Sequence, residues 1–169
     1  MSRSPLISVL LLMVLLMSAC QPKGPAAQPP KDAPVVEAFS KQQVMCDGKM
    51  EWTLEASTKD WIDAGVAWEA KDIATAQDNV KHFKVEVSLD GKPIAESMKY
   101  PQPPEPFSIT CGDTTTQGDG IRFALFLPPL SKGEHKIAWR ATILDDLNDG
   151  WSDYPKGTEF TFTATVNVK

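Results

Sequence analysis

The segment that decides the fold is residues 160–168, Phe-Thr-Phe-Thr-Ala-Thr-Val-Asn-Val. Its apolar side chains occupy every second position, and threonine or asparagine stands between them. Successive side chains of a β-strand point to opposite faces of the sheet. The alternation therefore predicts a strand with one face buried in a core and the other face polar.

The same two-residue period recurs through the second half of the chain, with shorter examples before it. The predicted strands are residues 50–54, 65–69, 83–89, 121–127, 136–143 and 160–168. Asp90-Gly91 follows the third of them and is typical of a tight hairpin turn. Only residues 73–80 have a composition that favours a helical turn or two.

Six or seven strands with little helix predict an all-β domain over residues 40–169, arranged as a single antiparallel two-sheet β-sandwich. A small barrel is the alternative. Residues 127–137 contain Leu130-Ser-Lys-Gly-Glu-His-Lys-Ile137, which resembles the Leu-x-x-Gly-x-His corner of many extracellular sandwich domains. That resemblance implies an immunoglobulin-like or fibronectin III-like sandwich and implies no chemistry.

The N-terminus has the build of a secretory signal peptide: Arg3, an apolar run over residues 6–17, and small residues before Cys20. About twelve apolar residues at ~1.5 Å each span roughly 18 Å, which is short of the ~30 Å hydrocarbon core. An uncleaved membrane anchor is therefore disfavoured, and an ordinary signal peptide is the other alternative.

Residues 15–20, Leu-Leu-Met-Ser-Ala-Cys, resemble the lipobox of bacterial lipoproteins, with Met17 where such boxes usually carry Leu. The resemblance implies that residues 1–19 are removed and that Cys20 carries a diacylglyceryl group and an amide-linked acyl chain such as palmitate. Two or three acyl chains anchor a protein stably. Gln21 after the cysteine implies the outer membrane in a diderm cell; in a monoderm the protein would sit on the outer face of the cytoplasmic membrane.

Residues 20–39 are proline-rich and predict a disordered, semi-extended tether between the lipid and the domain. Removal of residues 1–19 leaves 16 basic and 22 acidic residues, a net charge of −6. An acidic chain without a basic cluster argues against nucleic acid as a partner.

With Cys20 assigned to lipid, Cys46 and Cys111 remain as a pair in an oxidising compartment. A disulfide is the favoured interpretation, and two buried free thiols are the alternative. The bridge is expected to fasten an early strand to a proline-rich loop.

An acidic loop over residues 145–154 carries oxygen donors suited to Ca²⁺. The candidate calcium ligands are Asp145, Asp146, Asn148, Asp149 and Asp153. Their spacing is not that of an EF-hand, and a solvated loop with exposed acids is the favoured alternative. We therefore expect no cofactor, with Ca²⁺ as the one candidate.

Four residues outside the confident strands are candidates for a sugar- or peptide-binding platform: Trp61, Asp63, Trp151 and Tyr154. Aromatic side chains that plug the open ends of a sandwich are the alternative explanation.

Catalytic patterns are sparse in the sequence. His82 and His135 lack a partner at metal-ligand spacing. The glycines of residues 112–120 lie in a segment predicted to be an ordinary loop, and their spacing is not that of a phosphate-binding loop. We expect a non-enzymatic, membrane-anchored binding module of the bacterial cell envelope, with an envelope protein or a glycan as partner. The alternatives are a calcium- or carbohydrate-dependent adhesion domain and a structural accessory subunit of an envelope complex.

Overall fold

A computed structural model describes residues 28–94 and 102–169. The predicted leader and Cys20 lie outside the described residues. Strands dominate the part that is described, as the alternating pattern predicted. The strands are β1 (Val35–Glu37), β2 (Glu51–Ala56), β3 (Trp61–Asp63), β4 (Val66–Ala70), β5 (Phe83–Leu89), β6 (Lys92–Pro93), β7 (Glu105–Cys111), β8 (Thr114–Phe123), β9 (Phe126–Leu127), β10 (Gly133–Ile143), β11 (Leu147–Asn148), β12 (Asp153–Tyr154) and β13 (Glu159–Val168).

The largest sheet has five strands in the order β2-β13-β10-β5-β6. Its centre is the long antiparallel pair of β10 and β13, in which Trp139 lies opposite Phe162. The Asp90-Gly91 turn joins β5 to β6, as predicted, with both residues at positive φ. The predicted strands at residues 83–89, 136–143 and 160–168 are confirmed in this sheet.

Three smaller sheets have the orders β1-β3-β9, β4-β8-β7 and β11-β12. The expectation of purely antiparallel pairing is wrong in two places, because β1 pairs with β3 and β2 pairs with β13 in parallel. Two parallel neighbouring strands need a connection that carries the chain back to the end of the sheet where the first strand began. The alternation of apolar and polar residues within a strand does not reveal such a connection.

The core contains side chains from several of these sheets. Trp139, Ile137 and Val166 come from the five-stranded sheet, and Ile62 comes from β3; all four are at most 1% exposed. The indole N–H of Trp139 donates to the Ala64 carbonyl at 2.7 Å, so the largest core side chain leaves no polar atom unpaired.

Two helices accompany the strands within residues 28–94 and 102–169: α1 (Lys41–Asp47) and α2 (Ile73–Asn79), the latter followed by a 3₁₀ turn at Val80–His82. The prediction at residues 73–80 is thus confirmed. Asp72 caps α2 by accepting from Thr75 N at 2.9 Å, and that bond holds the pKa of Asp72 below its usual value. Helix α1 was not predicted; Ser40 caps its start and Gly48, at φ 62°, ends it.

Three expectations need correction. The boundary at residue 40 is too late, because β1 pairs with β3 and Ala38 and Phe39 are buried in the core. The glycine-containing segment 112–120 is largely strand, since β7 and β8 form a hairpin there. The disulfide is confirmed between Cys46 and Cys111, but it joins helix α1 to the last residue of β7 instead of joining a strand to a loop.

Candidate ligand-binding site

An apolar cavity of about 210 Å³, called the inner cavity below, lies between the five-stranded sheet and strand β4. One wall is a row of residues in direct register across three strands: Val85, Ala141 and Phe160. Direct cross-strand partners share one face of a sheet. Because Ala141 contributes only a methyl group between two larger side chains, the middle of this row is shallow and leaves space.

The opposite wall is built around Trp68 of β4. Its ring centre lies 4.7 Å from that of Phe83, 5.3 Å from Tyr154 and 6.1 Å from Phe160. These are edge-to-face or tilted arrangements of the kind that aromatic rings prefer. These three rings restrict the orientation of the Trp68 indole.

The β11–β12 hairpin closes one end of the inner cavity, and the buried carboxylate of Asp149 organises it. Asp149 Oδ1 accepts from Trp151 N and Ser152 N, each at 2.7 Å. Asp149 Oδ2 accepts from the Tyr154 hydroxyl at 2.8 Å. Burial, together with this bond to Asp149, raises the pKa of Tyr154 to about 12. The tyrosine is therefore neutral and donating at physiological pH.

Trp151 extends from this hairpin across the β7–β8 hairpin. Its ring centre lies 6.0 Å from that of Phe107. A Cβ at Gly118 would clash with the Trp151 ring and with the Ala70 carbonyl. The indole therefore depends on a glycine in the strand beneath it, yet Trp151 remains 43% exposed.

Two buried polar atoms in the described part of the chain make no hydrogen bond: Trp68 Nε1 and Glu69 Oε1. The indole nitrogen Nε1 of Trp68 is inaccessible to solvent and makes no hydrogen bond to any described residue. The corresponding atoms of two other tryptophans are satisfied, since Trp52 donates to Gln43 Oε1 at 2.8 Å and Trp139 donates to the Ala64 carbonyl. A buried donor without an acceptor costs about 1–3 kcal/mol, so this exception calls for a physical explanation.

A second space of about 430 Å³, called the outer cleft below, adjoins the inner cavity. The two share part of their walls: Val44, Met45, Val66, Ala67, Glu69 and Phe162. Charged residues line the outer cleft, among them Glu37, Lys41, Glu105 and Arg122. The lining therefore changes from charged residues in the outer cleft to mainly apolar residues in the inner cavity.

Two ion pairs occupy the walls of the outer cleft. Arg122 is held by both carboxylate oxygens of Asp63. Lys41 Nζ lies 3.0 Å from Glu69 Oε1 and 4.3 Å from the Phe107 ring centre. The lysine is not aligned for a hydrogen bond, so Glu69 Oε1 is buried without one from the described residues.

Helix α1 supplies the wall that the two spaces share. It has no fully buried residue. Its tertiary attachments are the disulfide to Cys111, a hydrogen bond of 2.9 Å from Gln42 Nε2 to the Thr110 carbonyl, the bond that Gln43 accepts from Trp52, and the ion pair of Lys41 with Glu69. A helix of seven residues is unstable alone in water. The position of Val44 and Met45 in the cavity wall therefore depends on these attachments, of which the disulfide is the covalent one.

The four aromatic-platform candidates separate into two pairs. Trp61 and Asp63 lie on β3 and line neither space. Trp151 and Tyr154 both line the inner cavity. Trp68 was not among the sequence candidates, because an aromatic residue at an inward position of a strand has the same pattern as an ordinary core residue.

Each of the five calcium candidates already makes a polar contact within the protein. Besides the bonds of Asp149, these contacts are His82 Nδ1 to Asp145 Oδ2 (3.1 Å), Lys156 N to Asp146 Oδ1 (2.7 Å), Gly150 N to Asn148 Oδ1 (2.6 Å) and Asn148 Nδ2 to Asp153 Oδ1 (2.7 Å). Across residues 28–94 and 102–169, no cluster of three or more His, Cys, Asp or Glu side chains is arranged to hold a metal ion. Calcium binding at this loop stays a prediction.

The fold brings Ser131, His135 and Asp90 together in the order of a Ser-His-Asp set. His135 Nδ1 lies 2.8 Å from Asp90 Oδ2, but Nε2 lies 2.9 Å from the Ser131 carbonyl and 3.4 Å from its hydroxyl. A carbonyl only accepts, so Nε2 carries a proton and cannot take one from the serine. The bond to Asp90, and then that to Ser131, raise the pKa of His135 despite its partial burial. Through its bonds to Asp90 and Ser131, His135 ties the β5–β6 turn to the start of β10.

None of the helices in the described part of the chain is long and apolar enough to cross a membrane. Comparison with known families and curated proteins finds no match. Among solved structures, the crystal structure of the cysteine protease inhibitor EhICP2 from Entamoeba histolytica is similar, with 12% identity over 80% of this chain and 95% of that chain. Its TM-score is 0.37, a likeness too slight to carry an argument.

Proposed function

We propose that this protein is a lipid-anchored, non-enzymatic binding module of the bacterial cell envelope, and that its inner cavity and outer cleft hold a small amphipathic ligand. The observation that carries the binding role is the apolar inner cavity beside a polar cleft. Ligand sites are typically concave and apolar, with a few polar groups that orient the ligand. The anchoring role rests on the lipobox resemblance of residues 15–20.

We also propose that the domain is an immunoglobulin-like two-sheet sandwich. The chain runs directly from β3 into β4 and from β8 into β9, and Ala64 N donates to the Leu125 carbonyl at 2.8 Å between these segments. These links support treating the β1-β3-β9 and β4-β8-β7 sheets as one layer against the five-stranded sheet. The inner cavity would then lie where the two layers diverge.

Metabolic labelling tests the anchor. The full chain, expressed in a bacterium supplied with alkyne-palmitate, should become labelled and sediment with membranes. Cys20→Ala should lose both properties, whereas Cys46→Ala, which also removes a thiol, should keep them. Labelling that persists in Cys20→Ala would overturn the assignment of Cys20.

Thermal unfolding of the purified full chain with toluene tests the cavity. A ligand at 100 times its dissociation constant adds about 2.7 kcal/mol to stability, a readily measured rise in Tm. Ala141→Leu should abolish the rise by filling the shallow row of the cavity wall. Ala138→Leu is the matched control, because Ala138 is an odd number of positions away on the same strand and faces the opposite side of the sheet. An equal rise in Ala141→Leu would exclude the inner cavity as the site.

A glycan-binding surface is the second candidate function, favoured by the exposed Trp151 beside Phe107. Aromatic rings of this kind stack on the apolar faces of sugars. Glycan binding that is lost in Trp151→Ala and is not displaced by toluene would favour this second function.

A further inference from the structure

We propose that the inner cavity and the outer cleft take an extended peptide, which adds as a strand to β4 along the edge that faces away from β8. This inference rests on the proposed binding function and specifies its ligand class: a short polypeptide segment in which apolar and polar side chains alternate. In strand addition, main-chain hydrogen bonds supply affinity and pockets for alternate side chains supply specificity.

The backbone of β4 is paired with β8 along one edge. Just before β4, Ala64 N donates to the Leu125 carbonyl at 2.8 Å, and the register continues unchanged to Val66 opposite Phe123. Directly opposed pairs in an antiparallel ladder are hydrogen-bonded at every second position. Even-numbered residues of β4 therefore direct their N–H and C=O groups at β8. The residues whose backbone groups point away from β8 are Gly65, Ala67 and Glu69. These outward groups are called the free edge of β4 below.

The same side of the strand is hydrogen-bonded before and after the free edge. Ala38 N donates to the Asp63 carbonyl at 2.8 Å, where β1 ends, and Lys71 N donates to the Asp149 carbonyl at 2.7 Å. Between these two bonds, no backbone or side chain of the described residues pairs with the N–H of Ala67 or Glu69 or with the three outward carbonyls. At about 3.3 Å per residue, residues 65–69 span ~13 Å, the length of about four extended residues.

Both spaces reach the free edge. The inner cavity is lined by all four of residues 66–69, and the outer cleft is lined by residues 65–67 and by Glu69. Successive side chains of a strand point to opposite faces. A space that contacts consecutive residues therefore passes around an edge of the strand, and β8 covers the other edge.

An added strand would direct its side chains alternately into the two spaces. Directly opposed residues of neighbouring strands share one face of the sheet. One set of side chains would lie beside Val66 and Trp68, towards the apolar inner cavity, and the other set beside Ala67 and Glu69, towards the outer cleft. A cavity of about 210 Å³ has room for a ring or a leucine side chain, since a cavity of about 150 Å³ binds benzene. The first set should therefore be apolar and the second polar.

Lys41 leaves the free edge accessible. Its Nζ lies 3.0 Å from Glu69 Oε1 and 4.3 Å from the Phe107 ring centre, and a Cβ at Gly120 would lie 3.7 Å from it. Gly120 belongs to β8 and Phe107 to β7, on the side of β4 that is opposite its free edge. The ammonium group therefore lies over the face of the sheet.

Hydrogen exchange at single amides tests the proposal. The probe is the peptide acetyl-Thr-Phe-Thr-Leu-Thr-amide, added to the ¹⁵N-labelled full chain in detergent. The amides of Ala67 and Glu69 should exchange rapidly in the unliganded chain and slowly with the probe. Those of Val66 and Trp68, which are directed at β8, should change little. The peptide acetyl-Phe-Leu-Thr-Thr-Thr-amide has the same composition without the alternation and should bind more weakly.

Methylation of the probe tests the geometry without any change in the protein. An N-methyl group is placed on each residue of the probe in turn. Successive N–H groups of an extended strand point to opposite sides, so every second methylation should weaken binding by at least about threefold, the value of one neutral hydrogen bond. Methylation of the residues between should be tolerated. A loss that does not alternate would exclude strand addition.

A proline in β4 tests the free edge from the side of the protein. Ala67→Pro removes an outward N–H and leaves the ladder with β8 intact, because proline is tolerated where its nitrogen faces away from the neighbouring strand. The variant should bind the probe at least about threefold more weakly and keep the rise in Tm with toluene. If the toluene response is also lost, the methylation pattern decides.

Ser108→Pro is the matched control for this variant. Ser108 is exposed on β7, at the other edge of the same sheet, and lines neither space. Even-numbered residues of β8 face β7, so Phe107 pairs with Gly118 and the N–H of Ser108 points away from β8. Binding of the probe should be unchanged in Ser108→Pro.

Three outcomes would overturn the proposal. If toluene raises the Tm but the probe does not slow exchange at Ala67 and Glu69, the binding function stands and strand addition is wrong. If these amides exchange slowly without the probe, the free edge is already occupied and the proposal is wrong. If neither toluene nor the probe binds, the proposed binding function fails together with this inference.

Discussion

Strands β10 and β13 cross two regions that are packed differently. At one end, Ile137, Ala164 and Val166 are fully buried. At the other end, Ala141, Phe160 and Phe162 are only partly buried and face the inner cavity. At the closed end, Ile137 lies directly opposite Ala164 and both are fully buried, whereas the rings around Ala141 leave a gap at the open end. One pair of strands can therefore support a dense core at one end and a binding space at the other.

The largest effect should come from the covalent link at the open end. The disulfide closes a loop with a sequence separation of 65 residues, which in the chain-entropy model contributes about 4 kcal/mol to stability. The double variant Cys46→Ser with Cys111→Ser should lose about that much in urea unfolding. It should also bind toluene more weakly, because α1 would no longer be held at the cavity wall.

A reductant should reproduce both effects in the unmodified chain and add nothing to the double variant. Unchanged toluene affinity after reduction would show that α1 keeps its place without the disulfide. The structure of the open end would then be maintained without the disulfide, as that of the closed end is.

The next largest effect should be at the closed end. Ile137→Ala deletes a side chain that is 0% exposed and should cost about 3 kcal/mol, within the range for buried large-to-small substitutions. Phe160→Ala should cost less, although it removes more atoms, because Phe160 borders an existing space. Urea unfolding measures both. An equal or greater loss for Phe160→Ala would remove the distinction between the two ends.

A smaller effect is expected at the hairpin that closes the inner cavity. Asp149→Asn weakens three accepted hydrogen bonds in a buried site and should cost about 2 kcal/mol. Asp153→Asn, at a more exposed position of the same hairpin, should cost less. Ultraviolet titration should find a tyrosine pKa of about 12 in the unmodified chain. That value should fall towards the usual 10 in Asp149→Asn; an unchanged value would mean that burial alone raises it.

The smallest effect should be the pH dependence contributed by His135, which lies at the closed end of β10, directly opposite Val166. Because the folded-state pKa of His135 is raised, its contribution is full below the unfolded-state value of about 6.5 and is lost as the pH rises through the folded-state value. The partner Asp90 is partly exposed, so the contribution should be at most about 1 kcal/mol.

Unfolding of the unmodified chain and of His135→Gln should be compared at pH 5.5 and 8.5. The difference in unfolding free energy between the two proteins should be larger at pH 5.5. A larger difference at pH 8.5 would reverse the assigned sign and would indicate that the neutral histidine is the stabilising form.

Much of the strand content was predictable because alternation is local. Residues 83–89 and 160–168 show the two-residue period without interruption, and both are strands with the expected faces. Helix α1 was missed because it is short and follows a proline-rich segment. Ser40 and Gln43, at the spacing of a capping box, and the terminal Gly48 were the features that could have revealed it.

The candidate site was only partly predictable. The aromatic candidates Trp151 and Tyr154 line the inner cavity, but the sequence suggested an exposed platform for them. Asp149 was expected to be exposed, yet it is buried because the backbone N–H groups of its own turn and the Tyr154 hydroxyl point at it. These donors meet at Asp149 only because the β11–β12 hairpin folds back over Trp68.

The main strands, the Asp-Gly turn and the Cys46–Cys111 pair were predictable from the sequence. They depend on local periodicity, on local backbone freedom and on the number of cysteines left once Cys20 is assigned to lipid. The location of the inner cavity became evident only from the tertiary structure. That space depends on the small volume of Ala141 relative to the rings opposite it, and those rings come from strands far apart in the chain. The unpaired N–H of Trp68 has the same origin, since only the folded arrangement determines which acceptors a buried donor can reach.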